Sequence, residues 1–195
     1  MKVTQPQGRA AFYENIVPLQ SKKHADYSIR SVENLAFAAG HHAIPVTTDE
    51  FVKVQRHFPI VFGENESDGP MALMGMRPGT NAFIDETGQA DGAFYVPAFI
   101  RRYPFIGIRP SVEATALSLC FDQSSGMIGQ FDDGKPLFST DGETTDALRK
   151  AIAFCEAYEQ ANTATTDFVK TLREKDLLVE GRIEVASGAG QGEPA

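Results

Sequence analysis

The sequence contains no tryptophan and only two cysteines among its 195 residues. Cys120 and Cys155 lie far apart and form no Cys-x-x-Cys motif, so we expect reduced thiols rather than a disulfide. No run approaches the roughly 20 apolar residues that a helix needs to cross a bilayer. The first residues also lack the continuous apolar segment of a secretory signal peptide. We therefore expect a cytoplasmic protein, with association with the cell envelope as the alternative.

Basic residues are scarce as well, since 18 Lys and Arg stand against 26 Asp and Glu, for a net charge of −8. This balance argues against a nucleic-acid-binding surface, which needs a basic stripe to displace phosphate counterions. A hydrophobic fraction of 42% and a charged fraction of 23% are ordinary for a globular protein. We divide the chain into an N-terminal arm (1–23), a single domain (24–186) and a flexible tail (187–195).

Motifs that announce a reaction are missing from the sequence. It has no glycine-rich phosphate loop, dinucleotide fingerprint, nucleophile elbow or zinc-protease helix. His41, His42 and His57 lack the spacing of metal ligands on one helix, and Asp132 and Asp133 are typical of a loop that faces water. We therefore expect neither a metal nor a cofactor.

The first two thirds of the chain are dominated by short apolar segments separated by turn residues. Residues 47–50 match a capping box and predict a helix over about 48–56. Segments 71–76 and 81–85 predict one hairpin. The segment that begins at Phe105 and the segment that ends at Phe121 predict a second pair of neighbouring strands. This order predicts an α+β fold with a mainly antiparallel sheet.

The last third has the pattern of an amphipathic helix. Apolar residues recur at helical spacing from Leu148 to Leu172, and residues 140–143 resemble a helix start. One long helix fits this pattern, and so do two helices broken near Asn162. Residues 176–185 predict a further strand.

Residues 95–105, YVPAFIRRYPF, are the most unusual segment, because two adjacent arginines lie within an aromatic run. Pro97 can occupy the first position of a helix, and Pro104 limits that helix to about two turns. On such a turn Arg101 and Arg102 point roughly 100° apart and cannot enter the same core. The segment therefore predicts a short, rigid platform that carries arginine.

Two roles for these arginines stay open. One is structural, with a guanidinium stacked on aromatic rings and paired with an acid. The other is bidentate binding of a carboxylate or phosphate. For the second role the predicted ligand-binding residues are Arg101, Arg102, Tyr95, Tyr103 and Phe99. Loss of binding in an Arg102→Ala variant is the test that the sequence suggests.

FPIVF at residues 58–62 and YVPAFIRRYPF, within a match that runs from about His24 to Leu178, resemble the SapC family of bacterial surface-layer-associated proteins. The resemblance implies a Gram-negative bacterial protein from a family named after surface-layer systems. It supplies no catalytic residue. SapC-like chains usually continue into a further C-terminal segment, so the resemblance also implies a shortened end here.

Three hypotheses for function follow. The first is a non-enzymatic accessory protein of surface-layer or envelope biogenesis that binds a peptide, protein or anionic ligand. The second is an enzyme acting on a peptide or small carboxylate-bearing substrate, with His24 and Asp26 brought beside the two arginines. The third is a structural subunit that forms a homo-oligomer through its long helix.

Overall fold

The structure, a computed structural model, describes residues 12–30, 34–65, 68–109 and 116–181. Within these ranges the chain forms nine short strands in three antiparallel sheets, two short α-helices and one long one. The strands are β1 (Ile16–Pro18), β2 (Ser28–Ile29), β3 (Ala43–Pro45), β4 (Ile60–Phe62), β5 (Pro70–Leu73), β6 (Phe105–Ile108), β7 (Ser118–Asp122), β8 (Ile128–Gly129) and β9 (Lys135–Pro136). The α-helices are α1 (Phe51–Val54), α2 (Ala98–Arg101) and α3 (Asp146–Glu174), and 3₁₀ turns cover Ala36–Ala38, Thr48–Glu50 and Gln123–Ser125. The predicted α+β class, with antiparallel sheets and a long C-terminal helix, is confirmed.

The first sheet has the order β1-β7-β6. β6 pairs with β7, with Phe105 opposite Phe121, so the predicted pairing of these two segments is confirmed. β1 covers the other edge of β7, with Val17 also opposite Phe121. Phe12 and Tyr13, which precede β1, are buried in the core. The described end of the predicted arm therefore packs against the sheet edge.

A second sheet has the order β3-β5-β4, and the third has the order β8-β2-β9. The hairpin predicted between segments 71–76 and 81–85 is wrong, because β5 pairs with β3 and β4 instead. Residues 81–85 contribute only one isolated bridge. Asp85 Oδ1 accepts hydrogen bonds from the backbone N–H of Thr87 (2.9 Å) and of Gln89 (3.0 Å). These local bonds hold the segment in a turn.

The predicted capping box at residues 47–50 is confirmed. The Glu50 carboxylate accepts a hydrogen bond from the Thr47 backbone N–H at 3.2 Å. The helix is shorter than predicted, since one 3₁₀ turn leads into α1, which ends at Val54.

α3 is one continuous helix of 29 residues. Its start, predicted at residues 140–143, lies instead at Asp146, where the Thr145 hydroxyl accepts a hydrogen bond from the Leu148 N–H (3.4 Å). Residues 139–143 form a turn closed by the hydrogen bond from Ser139 N to Glu143 O (2.9 Å). No break occurs at Asn162, and of the predicted strand at 176–185 the described residues to 181 form none. The remainder of that segment, and the predicted tail, lie outside the described residues.

Two clusters of buried side chains form the interior. The first contains Phe12, Tyr13, Phe99, Tyr103 and Tyr158 among others. The second contains Phe105, Phe121, Leu137, Leu148 and Cys155 among others. Both α3 and residues 95–105 supply side chains to the two clusters, the latter with Phe99 and Tyr103 in the first and Phe105 in the second.

Candidate anion-binding site

The arginine-bearing segment folds as a short, proline-bracketed turn, as predicted. Pro97 is the residue before α2 and has an extended ψ of 148°, so it lies one position earlier than expected. α2 spans Ala98–Arg101, after which the chain turns through a cis Tyr103–Pro104 peptide into β6. Because Pro97 and Pro104 bracket it, the turn is short and its side chains have fixed directions.

Glu50 fixes this turn to the capping box of the preceding helical segment. Its Oε1 atom accepts hydrogen bonds from the Ala98 backbone N–H (2.6 Å) and from the Tyr95 hydroxyl (2.9 Å). The side chain is buried. The sequence identifies Glu50 as a capping residue, but its second role joins residues 48 positions apart, which no local pattern indicates.

Arg102 points into the protein. Its side chain is 2% exposed, and its Nη1 atom lies 3.4 Å from Glu159 Oε1. The guanidinium carbon lies 4.5 Å from the ring centre of Phe99 and 4.3 Å from that of Tyr158. Arg102 therefore has the features of the structural role, with aromatic stacking and an acidic partner.

Arg101 points outward, with 43% of its side chain exposed. Its Nε donates to the carbonyl of Val96 (2.9 Å), and its Nη2 donates to the Tyr95 hydroxyl (2.9 Å). The guanidinium carbon also lies 5.2 Å from the ring centre of Phe154. These contacts hold the guanidinium in one pose, and Nη1 makes no hydrogen bond to the described part of the chain. The two arginines thus face different environments, as predicted.

Beside the arginines lies a hollow of about 290 Å³. Its lining residues come from the ends of β2 and β9, from the α2 turn, from β6 and from the first half of α3. They are Ile29, Arg30, Arg101, Arg102, Tyr103, Phe105, Lys135, Ala151, Phe154 and Cys155. Four of these ten residues are basic and none is acidic, although acids outnumber bases in the whole chain. The hollow therefore concentrates positive charge in an acidic protein.

The basic side chains of the hollow differ in how far they are neutralised. Arg30 Nη2 lies 2.7 Å from Asp133 Oδ1, and this hydrogen-bonded arginine lowers the pKa of the Asp133 carboxyl. Lys135 is exposed and forms no ion pair with any described residue. Arg101 Nη2 is 3.9 Å from Glu50 Oε1, at the limit of an ion pair. Arg101 and Lys135 therefore carry most of the charge that a ligand would meet.

The floor of the hollow carries no ionised nucleophile. Burial raises the pKa of the Cys155 thiol to about 11, so the thiol is protonated at neutral pH. Burial, followed by the charge of Asp122, also raises the pKa of Tyr103, whose hydroxyl lies 3.2 Å from Asp122 Oδ2. The hollow therefore combines charge at its mouth with an apolar floor and a protonated thiol.

The predicted ligand-binding residues separate into three groups. Arg101, Arg102 and Tyr103 line the hollow. Tyr95 supports Arg101 from outside it. Phe99 is 1% exposed and lies in the core beneath Arg102, so its position differs from that of a ligand contact.

The structure adds lining residues that sequence analysis missed. They are Ile29, Arg30, Phe105, Lys135, Ala151, Phe154 and Cys155. Of these, only Ala151, Phe154 and Cys155 could have been grouped from the sequence, because spacings of three and four residues place them on one face of α3. His24 and Asp26, named for the enzyme hypothesis, do not line the hollow. His24 is buried in a turn, where its Nδ1 accepts a hydrogen bond from Gln20 N (3.0 Å).

The described residues contain neither a cluster of metal ligands nor a membrane-spanning helix. Among them, no group of three or more His, Cys, Asp and Glu side chains is placed to hold a metal ion. None of the described helices combines the length and apolar character required to span a membrane.

Comparison with known families decides the relationship. The model of the SapC family matches residues 19–194, nearly the whole chain. The chain belongs to the SapC family. Neither the comparison with curated proteins nor the comparison with solved structures gave a significant match. The resemblance seen in the sequence motifs is thus confirmed, and every residue that lines the hollow of this SapC-family chain falls within the matched range.

Proposed function

We propose that this SapC-family protein is a non-enzymatic accessory protein that binds an anionic group of a peptide, protein or small molecule in the hollow. The observation that carries the proposal is the composition of the hollow wall, with four basic residues and no acidic one in a chain of net charge −8. Clustered cations with low-dielectric walls raise the local concentration of an anion. A site for a cationic or neutral ligand would not need this arrangement.

The fixed pose of Arg101 is the second support. Its hydrogen bonds to Val96 and Tyr95 immobilise the guanidinium before any ligand arrives. Binding to an ordered side chain avoids the cost of immobilising it, about 0.5–1.5 kcal/mol for each flexible side chain. The Tyr95 hydroxyl in turn donates to Glu50 of the capping box, so the capping box also helps to fix the pose of Arg101.

The setting of this binding is part of the proposal. The SapC family match supports the surface-layer or envelope setting that the sequence resemblance implies. We propose a cytoplasmic accessory role in that process, with association with the envelope as the alternative. Fractionation of the native host, followed by detection of the protein in each fraction, tests this location.

Ligand titration of the intact chain tests the binding proposal. Acetate, inorganic phosphate and phenylacetate serve as probes, and amide chemical shifts report binding at each residue. We expect saturable shifts around the hollow, weakened about tenfold or more by Arg101→Gln, because a hydrogen bond to a charged group contributes about 1.5–3 kcal/mol. Arg77→Gln, at an exposed arginine that does not line the hollow, is the matched control and should leave binding unchanged. If no probe gives a saturable shift, the proposal fails.

A further inference from the structure

We infer that the ligand of the hollow is a singly charged carboxylate attached to an apolar body about the size of one aromatic side chain. The inference rests on the proposed binding function and narrows it to a chemical class. That class has two sources, the apolar C-terminal residue of a peptide and a free aromatic or aliphatic acid.

The floor and the mouth of the hollow differ in chemistry. Phe105 and Cys155 are buried members of the second cluster, and Ala151 packs against them from α3. Phe154 closes the side next to Arg101, whose guanidinium it faces at 5.2 Å. An apolar body on this floor is removed from water, while a charged group attached to it reaches the cations at the mouth. A bare inorganic anion would leave the floor unused.

The net charge of the hollow favours a single negative charge. Of the four basic residues, Arg102 has Glu159 at 3.4 Å and Arg30 has Asp133 at 2.7 Å. Subtracting these two pairs from four cations leaves two, Arg101 and Lys135. Glu50, 3.9 Å from Arg101, reduces the remaining charge further. A carboxylate matches this balance better than a phosphomonoester, which carries up to two charges at pH 7.

The size of the hollow limits what enters it. A volume of about 290 Å³ lies at the lower end of the roughly 300–1,000 Å³ of ligand pockets. This space accepts one ring or a short aliphatic chain, and an extended peptide can place only its last residue there. Arg101 then meets the carboxylate through Nη1, since Nε and Nη2 already donate to Val96 and Tyr95.

A panel of matched probes tests the class by isothermal titration of the full chain. Phenylacetate is compared with phenylacetamide, which lacks the charge, and with acetate and inorganic phosphate, which lack the apolar body. We expect phenylacetate to bind at least tenfold more tightly than the other three. A dipeptide, N-acetyl-Ala-Phe, and its C-terminal amide distinguish the sources. Tighter binding of the dipeptide acid than of phenylacetate assigns a peptide C-terminus, and the reverse order assigns a free acid.

Two substitutions at the hollow and one control, all on α3, check that its apolar lining recognises the apolar body. Ala151→Leu fills the floor and should weaken phenylacetate at least tenfold while leaving the weak binding of acetate unchanged. Ala153→Leu, on an exposed position of the same helix, should change neither. Phe154→Leu replaces the aromatic wall by a smaller apolar one and should weaken phenylacetate binding less than Ala151→Leu does. It serves as the test if the Ala151→Leu variant does not fold.

The possible failures are distinguishable. Phosphate or acetate binding as tightly as phenylacetate would overturn the class while leaving anion binding in place. Equal binding of phenylacetate and phenylacetamide would overturn both the class and the proposed function, because the cations would then contribute nothing. Absence of binding by every probe would also overturn both.

Discussion

The hollow has two adjacent arginines with opposite environments. Arg102 lies at its buried end, the base, and Arg101 lies at its solvent-facing end, the mouth. At the base, Arg102 is 2% exposed and lies between aromatic rings with Glu159 beside it. At the mouth, Arg101 is 43% exposed, and Arg30 and Lys135 also reach solvent. Two adjacent residues of one turn therefore have different roles. Arg102 at the base stabilises the fold, and Arg101 at the mouth presents its positive charge to solvent.

The largest effect is expected at the base. Arg102→Ala removes a basic group that pairs with the buried Glu159 carboxylate and empties space between Phe99 and Tyr158. Breaking a buried pair from one side costs about 3–5 kcal/mol. We expect the free energy of unfolding, measured by urea denaturation, to fall by that amount. Any loss of ligand binding in this variant would then reflect the fold as well as the site, so Arg102→Ala is a poor test of binding.

The matched control is Arg101→Ala at the mouth, which should lower the free energy of unfolding by only about 0–1 kcal/mol. Replacement of both partners at the base, Arg102→Met with Glu159→Leu, should recover much of the loss, because buried pairs are often no more stabilising than apolar residues of similar volume. Equal destabilisation by Arg101→Ala and Arg102→Ala would contradict the distinction between base and mouth.

A smaller effect is expected at Asp122, which supports the base through Tyr103. Asp122 is buried, and its carboxylate accepts hydrogen bonds from the backbone N–H groups of Glu14 (2.9 Å), Asn15 (3.0 Å) and Ser124 (3.0 Å). An asparagine at this position replaces one carboxylate oxygen by an NH₂ group, and this donor would then face a backbone N–H, which is also a donor. Asp122→Asn should lower the free energy of unfolding by about 1–3 kcal/mol, measured by urea denaturation.

The pH dependence of Asp122 supplies a second measurement. Burial raises the pKa of its carboxyl, but the hydrogen bonds outweigh burial and set the pKa below the ordinary 3.8. The stabilisation is therefore fully present above pH 3.8 and lost as the pH falls through the folded-state pKa. The wild type should lose more stability below pH 4 than Asp122→Asn does. Parallel acid unfolding of the two proteins would contradict this account.

Part of this arrangement follows from the sequence because its causes are local. The prolines at 97 and 104 bracket a short turn, and the angle between successive helical residues sends Arg101 and Arg102 in different directions. The capping box at residues 47–50 is equally local. These features depend on neighbours within a few residues, so a pattern in the chain contains enough information to predict them.

The rest of the hollow depends on contacts between distant segments. Lys135 belongs to a strand of two residues, too short to show a period, and reaches the hollow because β9 pairs with β2. Arg102 meets Glu159 across 57 positions. The start of α3 differs from the prediction because residues 140–143 match the same helix-start pattern, whereas Thr145, whose hydroxyl donates to Pro136 O (2.7 Å), caps a helix that begins at Asp146. Sequence patterns therefore fail to predict strands of two or three residues, and they fail to choose between two possible starts of the same helix.

An intermediate effect is expected at His24, which supports the second cluster beneath the floor. Burial, followed by the charge of Lys23, lowers the pKa of His24 from 6.5, and its neutral ring packs on Phe121 at 5.4 Å. Its stabilisation is present above pH 6.5 and lost as the pH falls through the folded-state pKa. His24→Asn keeps an acceptor for Gln20 N without titrating. The melting temperature of the wild type should therefore fall more between pH 7 and pH 5 than that of His24→Asn.

The smallest effect is expected at the mouth, where Asp133 partly neutralises Arg30. Both side chains are largely exposed, so Asp133→Asn should leave the urea denaturation curve unchanged. The charge of Arg30, which stays stacked on Phe131 (3.9 Å), is then no longer neutralised by Asp133. The affinity for phenylacetate should rise by less than about fivefold, the range of an exposed ion pair. Salt should reduce this gain, because exposed charges are screened over about 10 Å at 0.1 M ionic strength. An unchanged affinity at low salt would mean that Arg30 does not act on the ligand, and that Arg101 and Lys135 alone define the mouth.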